Sequence, residues 1–121
     1  MRKTIVWILS GLLAVVFLAA GIMKLATSPM DVQIFASLDL PRWSLYAVGI
    51  FEVACAIGLL VPRYAAVAGA LLVCDMAVAF LLHLTHGQAA MAPVPLVLGI
   101  IAAAIVYLRG GFGAFASPKV A

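Results

Sequence analysis

Charge is scarce in this chain and acid scarcer still: of 121 residues, 9% are charged and only four are Asp or Glu. Soluble domains average roughly 25% charged residues, and a globule of this length could not hide a 68% hydrophobic content. A soluble fold is therefore excluded. No basic run reads as a nucleic-acid patch, and the two cysteines form no Cys-x-x-Cys pair. A Gly-rich phosphate loop, a nucleophile elbow, a zinc-helix motif and a haem-attachment motif are all absent. No polar stretch is long enough for a separate soluble domain, so one membrane domain over residues 1–121 is expected.

What is present is apolar, with a mean hydropathy of +1.30. A helical crossing of a bilayer takes about 20 residues, which leaves room for four crossings and short connections. The hydrophobic blocks place them at about residues 5–25, 44–61, 64–84 and 91–108. The expected fold is an all-α membrane protein, a four-transmembrane-helix bundle with a short amphipathic helix between helices 1 and 2.

Local signals set the boundaries. Arg2 and Lys3 precede the first block, and its Leu18-Ala19-Ala20-Gly21 stretch resembles a signal-peptidase site. The apolar run exceeds an h-region of 7–15 residues and continues past the small residues, so a retained helix is expected. Pro41 and Pro62 bracket the second block, because proline disfavours helical geometry in the residue before it. The short link to the third block makes helices 2 and 3 an antiparallel hairpin. Pro93 and Pro95 fit the first turn of the last helix, where amides have no intrahelical partner. Gly110, Gly111 and Gly113 end it, and Ser117 to Ala121 reads as a loose tail. Between the first two crossings, Ser28 as cap, Pro29 at the first position and Asp31 in the first turn mark a helix start. Met30, Ile34, Phe35 and Leu38 fall on one face of it, suited to the interface or to plugging one end of the bundle; a plain connector is the bland alternative.

Ionisable groups inside apolar blocks are the candidate chemistry. Glu52 and Asp75 each lie about eight residues from the same end of their helices, roughly 12 Å deep at 1.5 Å per residue. Burying a charge there costs about 2.5–3.5 kcal/mol, so such groups normally face a bundle interior or a wet cavity. Two facing carboxyls would share a proton unless Lys24, at the same end of helix 1, supplies a counter-charge. That suits a proton relay or a site for a polar head such as a quinone; the alternatives are a Lys24 that snorkels to headgroups and a polar centre that only glues helices. His83 closes the third helix near that surface. His83 and His86, three apart, could touch one metal, but no further ligand lies in their loop, so no metal site is expected and surface histidines are. Cys55 and Cys74 fall at similar depth on paired helices, as small buried hydrophobes or, less in keeping with lone cysteines, as a redox dithiol. Small residues at Ala65, Gly69 and Val73, with Gly58 and Gly49 opposite, allow close helix approach. Arg2, Lys3, Arg63, Arg109 and Lys119 gather at the ends an even-numbered bundle places together, which puts both termini in the cytoplasm.

These residues carry a resemblance. A first helix ending Ala20-Gly21-Ile22-Met23-Lys24-Leu25, a loop ending Leu38-Asp39-Leu40-Pro41, a second helix with Gly49-Ile50-Phe51-Glu52-Val53 and Ile57-Gly58-Leu59-Leu60-Val61-Pro62-Arg63, and a third ending in His83 resemble the DoxX and DoxX-like membrane proteins. The resemblance implies a four-helix bundle in the bacterial inner membrane. It implies a role beside a quinone-linked, thiosulfate:quinone oxidoreductase-like complex, with a quinone as candidate ligand and a soluble oxidoreductase as candidate partner. Lys24, Glu52, Pro62 and His83 map onto the family pattern; Asp75 and the cysteines do not, and rest on depth alone. The absence of a sulfur-handling domain argues against thiosulfate chemistry by this chain unaided. Two other classes stay open. One is a small proton-coupled transporter, although the small multidrug resistance type carries its Glu in the first helix and this first helix has none. The other is a non-catalytic membrane assembly or stress factor. A homo-oligomer is compatible with all three, since a dimer would enlarge a small interior.

Overall fold

The computed structural model describes residues 2–110. Five α-helices run through them: α1 (Arg2–Leu25), α2 (Pro29–Ser37), α3 (Arg42–Leu59), α4 (Ala65–Thr85) and α5 (Pro93–Leu108), with a single 3₁₀ turn, Ala89–Met91, leading into α5. Four are long and apolar enough to cross a membrane, α5 counting its preceding turn. The fold is an all-α bundle of four spans with the short α2 between the first two, and no strand occurs among the described residues. Gly110 follows α5; Gly111, Gly113 and the expected tail from Ser117 to Ala121 lie outside the described residues.

Apolar side chains cover both the inside and the outside. Phe17, Leu45, Leu59, Leu72 and Ile105 are fully buried, while Leu12, Val15, Ile50, Val78 and Ile100 point outward. In a bilayer the outward set meets lipid tails, so the helices associate through close packing rather than through hydrophobic exclusion. α1 packs chiefly on α3 and α4 on α5, with α3–α4 and α1–α5 closing the ring. Glycines set these approaches. Gly21 and Gly49 lie face to face, a Cβ added at Gly21 meeting the Gly49 carbonyl at 2.7 Å. Gly58 faces Ala68, and Gly69 faces Ala102 and Val106. The sequence pattern set Gly49, Gly58 and Gly69 together across one hairpin; instead three helix pairs each use one of them.

The N-terminus of α1, the end of α3, the start of α4 and the end of α5 form one face, called here the terminal face. α2 lies at the opposite face, packed on α3 and α1. Three chain turns at that face end their helices alike. Ser28 N–H bonds Met23 O (3.0 Å), Leu40 N–H bonds Phe35 O (3.0 Å) and Gln88 N–H bonds His83 O (2.7 Å), each a six-to-one closure. The residue before each donor is left-handed: Thr27 (φ 54°), Asp39 (φ 58°) and Gly87 (φ 71°). Only the last is glycine. Ser28 closes α1 with its N–H and opens α2 with its carbonyl, which accepts from Val32 N–H (3.0 Å), while its hydroxyl makes no capping bond. A β-branched residue at Thr27 costs roughly 1–2 kcal/mol in that conformation, so Thr27→Gly is expected to raise stability by about 1 kcal/mol. The midpoint of unfolding in mixed micelles reads this directly, and a lowered midpoint would refute the left-handed turn.

α2 also departs from its expected face. Leu38 and Asp31 are buried and Ile34 and Phe35 are partly covered, but Met30 is 58% exposed. The helix is turned so that an acid, not a methionine, faces inward.

Candidate functional site

Glu52 stands ten residues in from the start of α3, and Asp75 ten residues short of the end of α4. Both are therefore roughly 15 Å along their helices from the α2 face. Lys24 lies in the last turn of α1. Because Gly21 and Gly49 remove side-chain bulk from the α1–α3 contact, the Lys24 stem can run inward along the seam instead of out to headgroups. Its Nζ reaches Glu52 Oε1 at 2.9 Å, with side-chain exposures of 13% and 4%. The approach is off the direction a hydrogen bond needs, so Glu52 Oε1 is charge-paired without a hydrogen bond. Asp75, at the same level on α4, lies close enough for Glu52 and Lys24 both to act on its carboxyl. The second Asp75 oxygen, Oδ2, is buried and has no hydrogen-bond partner among the described residues.

The trio thus holds one lysine and two carboxyl groups, with one acceptor to spare. An orphaned acceptor of this kind costs about 1–3 kcal/mol unless something donates to it. The packed apolar core lies to one side of the trio. Leu13, Ala14 and Phe17 of α1, Cys55, Ala56 and Leu59 of α3, Ala68 and Leu72 of α4, and Ala102 and Ile105 of α5 all sit between it and the terminal face. Met76, at the level of the trio, packs against Gly99. On the other side the interior is capped by α2.

The remaining candidate residues lie elsewhere. His83 is buried, not on the surface: its Nδ1 pairs with Gln88 Oε1 at 2.9 Å, and Gln88 Nε2 donates to Ser37 Oγ at 2.8 Å. The tight turn through Gly87 folds Gln88 back over the histidine, which removes it from water. His86 instead meets Asp39 at 3.4 Å. These contacts tie the end of α4 to α2 and its following loop; neither histidine belongs to the trio. Cys55 is buried one turn past Glu52, close enough to feel both carboxyls, whereas Cys74 is exposed on the outside of α4. Both thiols are free, and with one inside and one outside the dithiol reading is corrected. The turn of α4 that directs Asp75 inward necessarily directs its neighbour Cys74 outward. Among the described residues, no group of three His, Cys, Asp or Glu could hold a metal ion.

Sequence reasoning missed several partners. Gly21 had a signal in its position one turn before Lys24, and Gly49 was read as a close-approach residue, but toward the third helix and not toward Gly21. Gln88 and the inward turn of Asp31 carried no local signal. Ser10 is fully buried and receives Arg109 Nη2 at 3.2 Å, a pairing between opposite ends of the chain.

Four apolar spans around a buried lysine–carboxylate centre define a multi-pass helical membrane protein. The chain belongs to the DoxX-like family, whose family model matches residues 8–105. No curated protein and no solved structure matches it.

Proposed function

We propose that this protein is a membrane-embedded accessory subunit of a quinone-linked redox complex, with Lys24, Glu52 and Asp75 receiving the polar head of a quinone. The observation that carries this reading is the unpartnered Asp75 Oδ2 beside a charge-paired Lys24 and Glu52. A hydroquinone hydroxyl can donate to that oxygen, and the Lys24 ammonium can donate to a quinone carbonyl. The isoprenoid tail would lie among the outward apolar side chains, so the ligand enters from lipid.

The apolar core between the trio and the terminal face favours a site loaded from one side over a proton path through the bundle. In this reading the domain spans 1–121 in a bacterial inner membrane. Arg2, Lys3, Arg63 and Arg109 share the terminal face, whereas Arg42 at the other face is accompanied by Asp31 and Asp39. That bias supports a cytoplasmic terminal face, where a soluble oxidoreductase would dock.

Asp75→Leu tests the site, because leucine keeps the approximate volume and leaves the Lys24–Glu52 pair in place but removes both carboxyl oxygens, whereas asparagine would keep an acceptor where Oδ2 stands. The intact protein, purified in lipid particles, is expected to retain a quinone detectable by mass spectrometry, and Asp75→Leu to lower its occupancy about tenfold, as expected for a lost hydrogen bond. Equal quinone content in both proteins at equal thermal stability would overturn the assignment.

A further inference from the structure

The terminal face holds a second polar cluster that the redox reading does not use. Arg2 is spent on the end of α5: its Nε donates to Leu108 O at 2.7 Å and its Nη2 to Tyr107 O at 3.3 Å, satisfying carbonyls that the helix leaves without partners. Arg109 is not so spent. Its guanidinium lies over the Trp7 ring, 5.3 Å from the centroid, and Nη2 donates to Ser10 Oγ at 3.2 Å. Nε and Nη1 are buried and have no hydrogen-bond partner among the described residues. Burial lowers the Arg109 guanidinium from its ordinary value, the direction expected of a cation short of counter-charge.

No side chain of this protein can supply that charge at the terminal face. The four acids are Asp31, Asp39, Glu52 and Asp75, and all lie at the α2 face or in the trio. None occurs after Asp75, so the residues beyond Arg109 bring none either. Next to Trp7, Lys3 and Thr4 join Ile8 in lining an open hollow on the flank of α1. Below it Ile5, Ile8, Leu12 and Val15 stand exposed in succession, an apolar track at helical spacing that leads from the hollow down the lipid side.

We propose that Lys3, Thr4 and Trp7, with Arg109 against the indole ring, form a site for an anionic phospholipid, its phosphate held by Lys3 and the Thr4 hydroxyl in the field of the Arg109 cation and its acyl chain lying along Ile8, Leu12 and Val15. The cations and the missing acids ask for a phosphate. The exposed track, and a tryptophan at the depth where such rings settle in a bilayer, ask for that phosphate to be carried on a lipid. The indole face fixes the guanidinium beside the hollow, where its charge, unmatched by any acid side chain at this face, draws an anion toward Lys3 and Thr4.

Native mass spectrometry of the intact protein released from detergent, with phosphatidylglycerol or phosphatidylcholine titrated in, tests this. One phosphatidylglycerol is expected to remain bound where phosphatidylcholine is lost. Lys3→Gln and Arg109→Gln are each expected to weaken retention about fivefold, the usual worth of one basic residue at an anionic surface. Lys3 is exposed and bonded to nothing among the described residues, so its replacement leaves the fold intact and keeps the test sound should Arg109→Gln prove unstable. Equal retention of the two lipids would overturn the site. So would phosphatidylglycerol binding unchanged in Lys3→Gln, or displacement of the lipid by millimolar inorganic phosphate alone.

Discussion

Lys24→Met is expected to destabilise the bundle by about 3–5 kcal/mol, whereas Lys24→Met combined with Glu52→Leu is expected to recover at least half of that loss. The reason is the position of the pair. Both side chains are nearly out of contact with the surroundings, and Nζ and Oε1 are 2.9 Å apart. Removing the lysine leaves Glu52 and Asp75 side by side with no counter-charge, and the pair must take up protons or stand uncompensated. Removing Glu52 as well takes away one of the two competing carboxyls, and Asp75 can then remain as a neutral acid. Desolvation offsets much of the attraction within any buried pair, so the two-residue apolar replacement forfeits far less than either single change implies. A double-mutant cycle in mixed micelles, with unfolding followed through Trp7 and Trp43 fluorescence, measures the coupling. Additive losses would mean that Lys24 and Glu52 act independently, contrary to the contact described.

Gly21→Ala is expected to cost about 1–3 kcal/mol through overpacking, although alanine is the better helix former by roughly 0.8–1 kcal/mol. Its Cβ would stand 2.6 Å from Val53 Cγ2, 2.7 Å from the Gly49 carbonyl oxygen and 3.0 Å from the Val53 amide nitrogen. Two of these atoms are backbone and cannot turn aside, so α1 and α3 must separate. Gly11→Ala, where an added Cβ meets nothing within 4 Å, is expected to be neutral or slightly stabilising and serves as the comparison. The consequence reaches the site. Moving α1 off α3 carries Lys24 away from Glu52, so Gly21→Ala and Lys24→Met should be less than additive when combined. Full additivity would separate the glycine contact from the ion pair and sink the view that one makes room for the other.

These two expectations show where local sequence information stops. The helices could be read from the chain because a bilayer demands long apolar runs and because Pro29, Pro41, Pro62 and Pro93 punctuate them. The common level of Glu52 and Asp75 followed from rise per residue alone. Which side of each helix faces inward was less legible, since lipid tails are as apolar as a core and periodicity then says little. Cys74 was misjudged for this reason: it lies outside although its neighbour Asp75 faces inward. His83 was read as a surface residue because its position in the last turn of α4 implies the membrane edge. The Gly87 turn that brings Gln88 over it is a feature of the folded loop.

The sequence by itself therefore determined the solvent this protein lives in, the number of its crossings, their ends and the depth of its acids, because each depends on composition or on distance along one helix. Only the tertiary structure decided that Lys24 turns inward to Glu52, that Gly21 lies against Gly49, and that Arg109 reaches Trp7 and Ser10 from the far end of the chain. Those pairings depend on how one helix rotates against another, and in an apolar medium that rotation is set by a few glycine contacts and buried charges rather than by any pattern along the chain.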